Sequence, residues 1–347
     1  MQLGDLGANV IKIERPGAGD ESRGWGPPWD ASGQSAYYLC CNRNKLGIAA
    51  DLAVHGDAAL VRKLAESADV VVDNFLPGAL TRRGLDAAAL LAANERLVWC
   101  TITGFAGDES RPGYDYVVQG EAGWMAVTGT ADDGPLKTGV ALADILTGKE
   151  AVAAILAAVT AVRSGTKIER HVRVALFETA VAALMNVAQN SLVSGAPSRR
   201  WGNAHPNLVP YETFAASDRL VVIAVGNDGQ YAALVRVLGV AALGAAAFET
   251  NAGRVEHRSQ VVGLIRARVA DRTAAEWLAE FRAAGVPSGA VNTVEDALRR
   301  VNASPETGIA PQVPGVVRRP PPRLDEHGAL VRAHGWDAFA HAPAPAG

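Results

Sequence analysis

Residues 97–103, Leu-Val-Trp-Cys-Thr-Ile-Thr, decide the fold, because β-branched and aromatic side chains follow one another there almost without a break. Such a run predicts a buried β-strand. Upstream of it, apolar residues at helical spacing alternate with compact apolar runs. Helices are predicted at 86–94 and 55–67, and strands at 70–73, 46–52 and 8–14. Strands that alternate with helices predict βαβ units, a parallel sheet and an α/β fold.

The second half of the chain predicts two long helices and then a change of composition. The first helix is expected over 147–163, with Gly165 just past its end, and the second over 172–191. Residues 195–214 are rich in Gly, Pro, Asn and aromatic residues, which favours a linker or a binding loop. One strand and three helices are expected after it, at 220–225, 228–238, 256–271 and 274–284. The last of these helices begins with Thr273 and Glu276 at capping-box spacing.

Length and composition together predict two domains. We assign 1–195 to a large domain and 205–300 to a smaller domain of mixed α and β elements. Residues 301–347 are expected to form a Pro-rich linker and a segment that returns to the large domain.

Composition also excludes several classes of function. The 33 basic and 36 acidic residues give a net charge of -3, which favours neither nucleic acid nor an anionic membrane as partner. No apolar run is expected to span a membrane. The three cysteines, Cys40, Cys41 and Cys100, form no CxxC pair, which predicts a reducing compartment, the cytoplasm. The seven histidines are scattered, so no metal site is expected, and no GxGxxG motif follows a strand.

Two features remain as candidates for a site. The first is a set of basic residues at or just after predicted strands, where ligands bind in open α/β sheets. Arginine in such places suits phosphate, although a solvated surface explains the same pattern. The set comprises Lys12, Arg15, Arg23, Arg43, Lys45, Arg82 and Arg83. The second is Asp144, expected between an extended stretch and a long helix, where a carboxylate meets the positive end of the helix dipole. A plain helix cap is the alternative.

Several stretches, in order along the chain, resemble the family III CoA-transferases, which include formyl-CoA transferase, carnitine CoA-transferase and the α-methylacyl-CoA racemases. They are LGANVIKIERPGAGDESRGWGPP (3–28), CNRNK (41–45), DNFLPGALTRRGL (73–85), ITGFAG (102–107), RPGYDYVVQGEAGWMAVTG (111–129), TGVALADILTG (138–148), RRWGNAHPNLVPYETF (199–214) and AGVPSGAVN (284–292). Residues 20–28 and 199–214 are most similar to the branch that contains succinate–hydroxymethylglutarate CoA-transferase, which acts on dicarboxylic acids.

The resemblance implies an architecture and a partner. It implies a Rossmann-like large domain built from both chain ends, a smaller inserted domain, and two ring-like chains interlinked in a cytoplasmic homodimer. Family members have a strand and a Gly-Pro loop before the segment that matches residues 1–7. We therefore expect the first sheet to lack one strand and 10–14 to lie beside the gap.

The resemblance also implies the chemistry. Asp144 matches the catalytic aspartate, which attacks an acyl-CoA thioester and then carries CoA itself as an aspartyl thioester. Acyl-CoA and a small carboxylic acid are the substrates, and no tightly bound cofactor or metal is needed. Positions that match CoA contacts are Arg15, Ala50, Asp51, Leu52, Ala53, Asn74, Phe75, Leu76, Arg82, Tyr114 and Asp115. Arg200, Asn203 and His205 are candidates for holding a distal carboxylate, with a structural linker as the alternative.

Two other functions stay open at this point. An α-methylacyl-CoA racemase pairs the aspartate with a histidine in a Gly-His-Asp motif, and here the motif reads Gly113-Tyr114-Asp115. Because phenols ionise at about pH 10, tyrosine is a poor base at neutral pH, which favours the transferase. The other alternative is an inactive remnant that binds CoA weakly. The expected lack of a first strand favours the remnant, and the intact Asp144 segment opposes it.

Overall fold

The structure, a computed structural model, describes residues 1–132, 134–311 and 314–342. The strands are β1 (Val10–Glu14), β2 (Lys45–Ala49), β3 (Val70–Asp73), β4 (Val98–Thr103), β5 (His171–Ala175), β6 (Tyr211–Ala215), β7 (Leu220–Ala224), β8 (Ser288–Ala290), β9 (Ala303–Ser304) and β10 (Gly308–Ile309). The helices are α1 (Gln2–Asp5), α2 (Ala36–Asn42), α3 (His55–Glu66), α4 (Ala87–Ala93), α5 (Asp115–Glu121), α6 (Trp124–Val127), α7 (Leu142–Arg163), α8 (Leu176–Ala182), α9 (Met185–Ser194), α10 (Asp228–Leu238), α11 (Asn251–Glu256), α12 (Arg258–Val269), α13 (Ala274–Ala283), α14 (Val294–Leu298), α15 (Gly328–His334) and α16 (Ala338–His341).

The chain divides into two compact units of mixed α/β structure. The first contains Met1–Ala122, Gly139–Met185 and Leu298–Gly347, and the second contains Gly123–Thr138 and Asn186–Ala297. The second unit therefore includes a stretch, Gly123–Thr138, that lies within the expected 1–195 domain. Long-range backbone hydrogen bonding links this stretch to the second unit, where the N–H of Gly202 donates to the carbonyl of Gly129 at 2.9 Å.

Parallel strands form the centre of the first unit. β1 pairs with β2, and β3, β4 and β5 pair side by side in that order. The predicted strand at 97–103 is confirmed as the middle strand β4, where Val98, Trp99 and Cys100 are buried. On one face, Ala151 and Ile155 of α7 join Cys100 in an apolar cluster. Burial of this face positions the start of α7, and with it Asp144, relative to the sheet.

Among the described residues, four strands of the parallel sheets in the first unit pair on one side only: β1, β2, β3 and β5. β1 pairs only with β2, and β3 pairs only with β4. Ile13 on β1 is 36% exposed and Val72 on β3 is 50% exposed.

An antiparallel sheet and four helices make up most of the second unit. β7 lies between β6 and β8, and Leu234, Val261, Trp277 and Phe281 are fully buried against them. The strand predicted at 220–225 and the three helices that follow it are confirmed. So is the capping box, in which the Thr273 side chain accepts from the Glu276 N–H.

Two predicted helices differ from the structure. The helix expected over 172–191 begins instead as strand β5, followed by α8 and α9. Val172 and Val174 are β-branched and pair with β4, so tertiary pairing overrides the local helical spacing. The helix expected from 147 begins at Leu142. As a result Asp144 lies inside the helix and not ahead of it.

The expectation that no apolar run could span a membrane is wrong as stated. Helix α7 has 22 residues, and its most apolar 18 residues have a mean hydropathy of 1.7. By length and composition alone, it could cross a membrane. Its third turn, however, carries Lys149 and Glu150. The Glu150 carboxylate accepts a hydrogen bond from the Thr179 hydroxyl at 2.6 Å, so α7 packs on α8 through a polar contact within the first unit.

Candidate active site around Asp144

Asp144 lies in the first turn of α7 with its side chain open to solvent. The residue that precedes the helix, Ala141, has no side chain able to cap it. Asp144 is therefore neither an N-cap nor a turn residue. An acidic side chain in the first helical turn interacts favourably with the helix dipole, and here it remains free to meet a substrate.

The cap of α7 is supplied by a residue distant in sequence, Asp115. Its Oδ1 accepts hydrogen bonds from the backbone N–H of Ala143 at 2.8 Å and from that of Asp144 at 3.3 Å. The other oxygen, Oδ2, accepts from Nε2 of the buried Gln119 at 2.6 Å. None of these hydrogen bonds involves the carboxylate of Asp144. Because the backbone N–H groups of Ala143 and Asp144 are bonded to Asp115, they are not free to donate to a developing oxyanion.

The electrostatic state of Asp144 suits a nucleophile. Desolvation by the surrounding protein, and then the negative charge of Asp115, raise the pKa of Asp144 to about 6 from the usual 3.8. A carboxylate with that pKa is mostly ionised at pH 7 and is more basic than an ordinary aspartate. Raised carboxyl pKa values of this kind are common in active sites.

Side chains of α2 lie within electrostatic range of Asp144. Burial raises the pKa of Tyr37, and the Asp144 carboxylate raises it further. The same carboxylate opposes ionisation of the Cys41 thiol. The ring of Tyr37 contacts Trp25 edge to face, with ring centroids 4.9 Å apart. Neither Tyr37 nor Cys41 was predicted as a site residue, because nothing in the local sequence links α2 to a carboxylate about a hundred positions away.

The residues that match CoA contacts follow the carboxyl ends of β1, β2 and β3 in the first unit. Arg15 after β1 is exposed, and its Nε donates to the carbonyl of Gly19 at 3.0 Å. After β2, Ala50 is buried, and Asp51 Oδ1 accepts from the N–H of Ala53 at 2.8 Å. Leu52 between them is partly buried. Exposed residues after β3 and before α5 complete the set: Asn74, Phe75, Leu76, Arg82 and Tyr114.

Ion pairs divide the basic residues into two groups. Lys12 pairs with Asp20 at 2.6 Å, and Arg23 and Arg43 form short pairs with buried carboxylates. The ammonium of Lys45 donates to Asn42 Oδ1 at 2.7 Å. These four residues are structural. Arg15, Arg82 and Arg83 are exposed and make no ion pair within the described part of the chain, so their charges are available to an anionic ligand.

The three candidates for a distal carboxylate lie in the second unit. Arg200 lines an open pocket of about 370 Å³ together with Arg199 and Trp201, and its Nε donates to the carbonyl of Thr130 at 2.9 Å. Asn203 Nδ2 donates to the Thr213 hydroxyl at 3.0 Å. His205 Nδ1 accepts from the backbone N–H of Asn207 at 3.0 Å. Asn203 and His205 are thus engaged with their own segment and are not among the residues that line this pocket.

No cluster of three or more His, Cys, Asp or Glu side chains suited to a metal occurs among the described residues.

Comparison with known proteins gives a consistent result. The family described as CoA-transferase family III matches residues 1–346. A succinate–glutarate CoA-transferase of Agrobacterium fabrum is 40% identical, over 96% of this chain and 90% of the relative. A succinyl-CoA:glutarate CoA-transferase of Mus musculus is 38% identical, over 85% of this chain and 68% of the relative. A crystal structure of a CaiB/BaiF family protein from Brucella suis has a TM-score of 0.81 and 39% identity, covering 95% of this chain and 93% of that one.

Proposed function

The chain belongs to CoA-transferase family III, and on that premise we propose that it moves CoA from an acyl-CoA thioester to a dicarboxylic acid through Asp144. The observation that carries this proposal is the geometry of Asp144: an exposed carboxylate in the first turn of a helix whose N-terminal amides are capped by Asp115, with a pKa of about 6. The names of the relatives, which act on succinate, glutarate or their CoA esters, support the choice of acid.

The reaction proceeds by carboxylate attack and needs no external energy source. An Asp144 oxygen attacks the thioester carbonyl, and the C–S bond breaks. CoA departs as a thiolate, and the acyl group remains on Asp144 as an aspartyl anhydride. The thiolate then attacks the aspartyl carbonyl, which releases the donor acid and forms an aspartyl–CoA thioester. The acceptor carboxylate repeats both steps in reverse, so thioester energy is conserved. Because the Ala143 and Asp144 amides bond to Asp115, the oxyanion donors must be other groups.

CoA would bind at the carboxyl ends of the parallel strands in the first unit, as in a Rossmann-like domain. The exposed cations Arg15 and Arg82 would meet its phosphates, since guanidinium groups form paired hydrogen bonds with phosphate oxygens. The exposed apolar residues Phe75 and Leu76 offer contact area for the pantetheine arm. Among the residues that match CoA contacts, Asp115 takes a different part, because its carboxylate bonds to the start of α7.

We further propose a cytoplasmic, interlinked homodimer. Helix α9 supports a partner chain, since Met185, Leu192 and Val193 are each more than 70% exposed. Apolar side chains on an unpartnered helix face commonly mark an interface between chains. The unpaired, reduced cysteines support the location.

The proposed function is tested by incubating the protein with succinyl-CoA and a panel of mono- and dicarboxylic acids, followed by mass spectrometry of the CoA esters. We expect glutaryl-CoA and related diacid esters to form with matching release of succinate. Hydrolysis of succinyl-CoA without any new CoA ester would contradict the proposal.

A further inference from the structure

One face of the sheet formed by β3, β4 and β5 carries a chain of polar side chains that the proposed transfer steps do not use. Asp73, the last residue of β3, pairs in register with Thr101 of β4, which pairs in turn with Arg173 of β5. Two positions earlier on β4 and β5, Trp99 pairs with His171. Because side chains alternate between the two faces of a sheet, these five residues share one face, and helix α7 covers the other.

Two donors from β4 hold the carboxylate of Asp73. The indole Nε1–H of Trp99 donates to Oδ2 of Asp73 at 2.6 Å, and the Thr101 hydroxyl donates to the same oxygen at 2.8 Å. Trp99 is buried, and Asp73 and Thr101 are partly buried. Hydrogen bonds to a charged acceptor are stronger than those between neutral groups. The middle strand of the sheet therefore fixes the orientation of the Asp73 side chain.

His171 determines the direction in which the Thr101 hydroxyl donates. An ionised carboxylate can only accept, so the single hydrogen of the hydroxyl goes to Asp73. Nε2 of His171, which is 3.0 Å from the hydroxyl oxygen, then donates to it, and Nδ1 accepts from the Arg173 guanidinium at 3.1 Å. Burial, and then the charge of Arg173, lower the pKa of His171, so the ring stays neutral at pH 7 as this tautomer requires.

The other oxygen of Asp73 anchors the segment that follows β3. Oδ1 accepts from the backbone N–H of Phe75 at 3.0 Å, which is the hydrogen bond of an Asx turn. The side chains of Phe75 and Leu76 are about half exposed. An exposed loop loses conformational entropy when it binds a ligand, and a hydrogen bond that fixes its backbone beforehand lowers that cost. Asp73 therefore ties these two apolar side chains to the sheet.

We propose that Asp73 is a positioning residue of the CoA site: it holds Phe75 and Leu76 in place to meet the pantetheine arm, and donors from β4 hold Asp73. The identity of the ligand rests on the proposed function, whereas the anchoring of the loop rests on the hydrogen bonds alone. Because Asp73 acts through the Phe75 N–H, its loss should weaken the binding of acyl-CoA and leave the acceptor acid unaffected.

Limited proteolysis of the full chain tests the anchor without any ligand. Asparagine has one acceptor oxygen, so in Asp73→Asn an NH2 group must face either the Phe75 N–H or the two donors of β4. Chymotrypsin cleaves after exposed aromatic residues, and cleavage after Phe75, mapped by mass spectrometry, should be about ten-fold faster in this variant. The matched control is Asp69→Asn, which changes an exposed carboxylate just before β3 and should be cleaved as the wild type is. Wild-type cleavage of Asp73→Asn would overturn the anchor.

Binding and transfer kinetics test the consequence for CoA. In Asp73→Asn, the Kd for CoA and the KM for succinyl-CoA should rise about ten-fold, while kcat and the KM for the acceptor acid stay within about two-fold of the wild type. Thr101→Val removes the hydroxyl that holds Asp73 and should shift the same two constants in the same direction. Thr101→Ser keeps the hydroxyl and should restore the wild-type values. The two Thr101 variants keep the test decisive if Asp73→Asn folds poorly.

Several outcomes would overturn the proposal. A fall in kcat with an equal rise in both KM values would show that Asp73 has a structural role alone, and a Thr101→Ser variant that behaves as Thr101→Val does would remove the hydroxyl from the chain of contacts. Nitrogen-15 NMR should find the hydrogen of the neutral His171 ring on Nε2, and a hydrogen on Nδ1 would overturn the direction assigned to the hydroxyl. If the wild-type protein neither binds nor transfers CoA, the proposed function fails, while the proteolysis still decides whether Asp73 anchors the loop.

Discussion

Neutralising Asp115 should shift the acid limb of CoA transfer by a defined amount. Desolvation is the larger of the two causes that raise the pKa of Asp144 from 3.8 to about 6, and the charge of Asp115 is the smaller. Asp115→Asn removes that charge and keeps an oxygen able to accept from the Ala143 N–H. The pKa of Asp144 should therefore fall by no more than about one pH unit.

The assay is the pH profile of kcat/KM for the acyl-CoA donor, which reports groups of the free enzyme. A midpoint that moves from about 6 to about 5 leaves the variant with roughly five-fold more of its plateau activity at pH 5 than the wild type. Glu121→Gln is the matched control, because it neutralises an exposed carboxylate on the same helix, α5. An unmoved midpoint in Asp115→Asn, or an equal shift in Glu121→Gln, would refute the reasoning.

Three further expectations follow from the same residues. Because the pKa of Asp144 is raised in the folded state, ionisation of Asp144 lowers the free energy of unfolding. This loss is absent below pH 4 and grows until the pH exceeds about 6. Asp144→Asn should therefore raise the free energy of unfolding at pH 7 by roughly 1 kcal/mol, after discounting for exposure, and leave it unchanged at pH 4 in urea titrations. Arg200→Ala should raise the KM for succinate or glutarate about ten- to hundred-fold, because losing a charge-assisted hydrogen bond costs about 1.5–3 kcal/mol. The KM for monocarboxylates should stay unchanged, and Arg199→Ala is the control. A uniform loss of activity across all acids would show that Arg200 has a structural role. Solvent deuterium should not enter the α-carbon of a 2-methylacyl-CoA, since Tyr114 replaces the racemase histidine; rapid exchange by NMR would favour racemisation.

The local sequence pattern predicts those elements that depend on their own composition or on residues nearby in the chain. β4 follows from its own composition, and the capping box of Thr273 and Glu276 spans one helical turn. β5 did not follow, because its identity depends on pairing with β4 some seventy residues earlier. The family resemblance located Asp144, but the local pattern put it ahead of the helix that in fact contains it.

The contacts that support Asp144 could not be predicted from the sequence, because they also join residues that are distant along the chain. Asp115 reaches the start of α7 across 28 positions, and Gln119 is aligned with Asp115 only because α5 forms. The sequence does not distinguish the basic residues that form ion pairs from those that are exposed, because their acidic partners are known only from the structure. Arg23 and Arg43 are held by buried carboxylates, whereas Arg15 and Arg82 are exposed.

The most direct test of the account is to trap the covalent intermediate on Asp144. The protein is incubated with succinyl-CoA, quenched with hydroxylamine and digested, and the peptide that contains Asp144 is analysed by mass spectrometry. The account predicts a hydroxamate on Asp144, no modified peptide without acyl-CoA, and no transfer by a folded Asp144→Ala variant. An unmodified Asp144 peptide under turnover, together with full CoA transfer by Asp144→Ala, would contradict it.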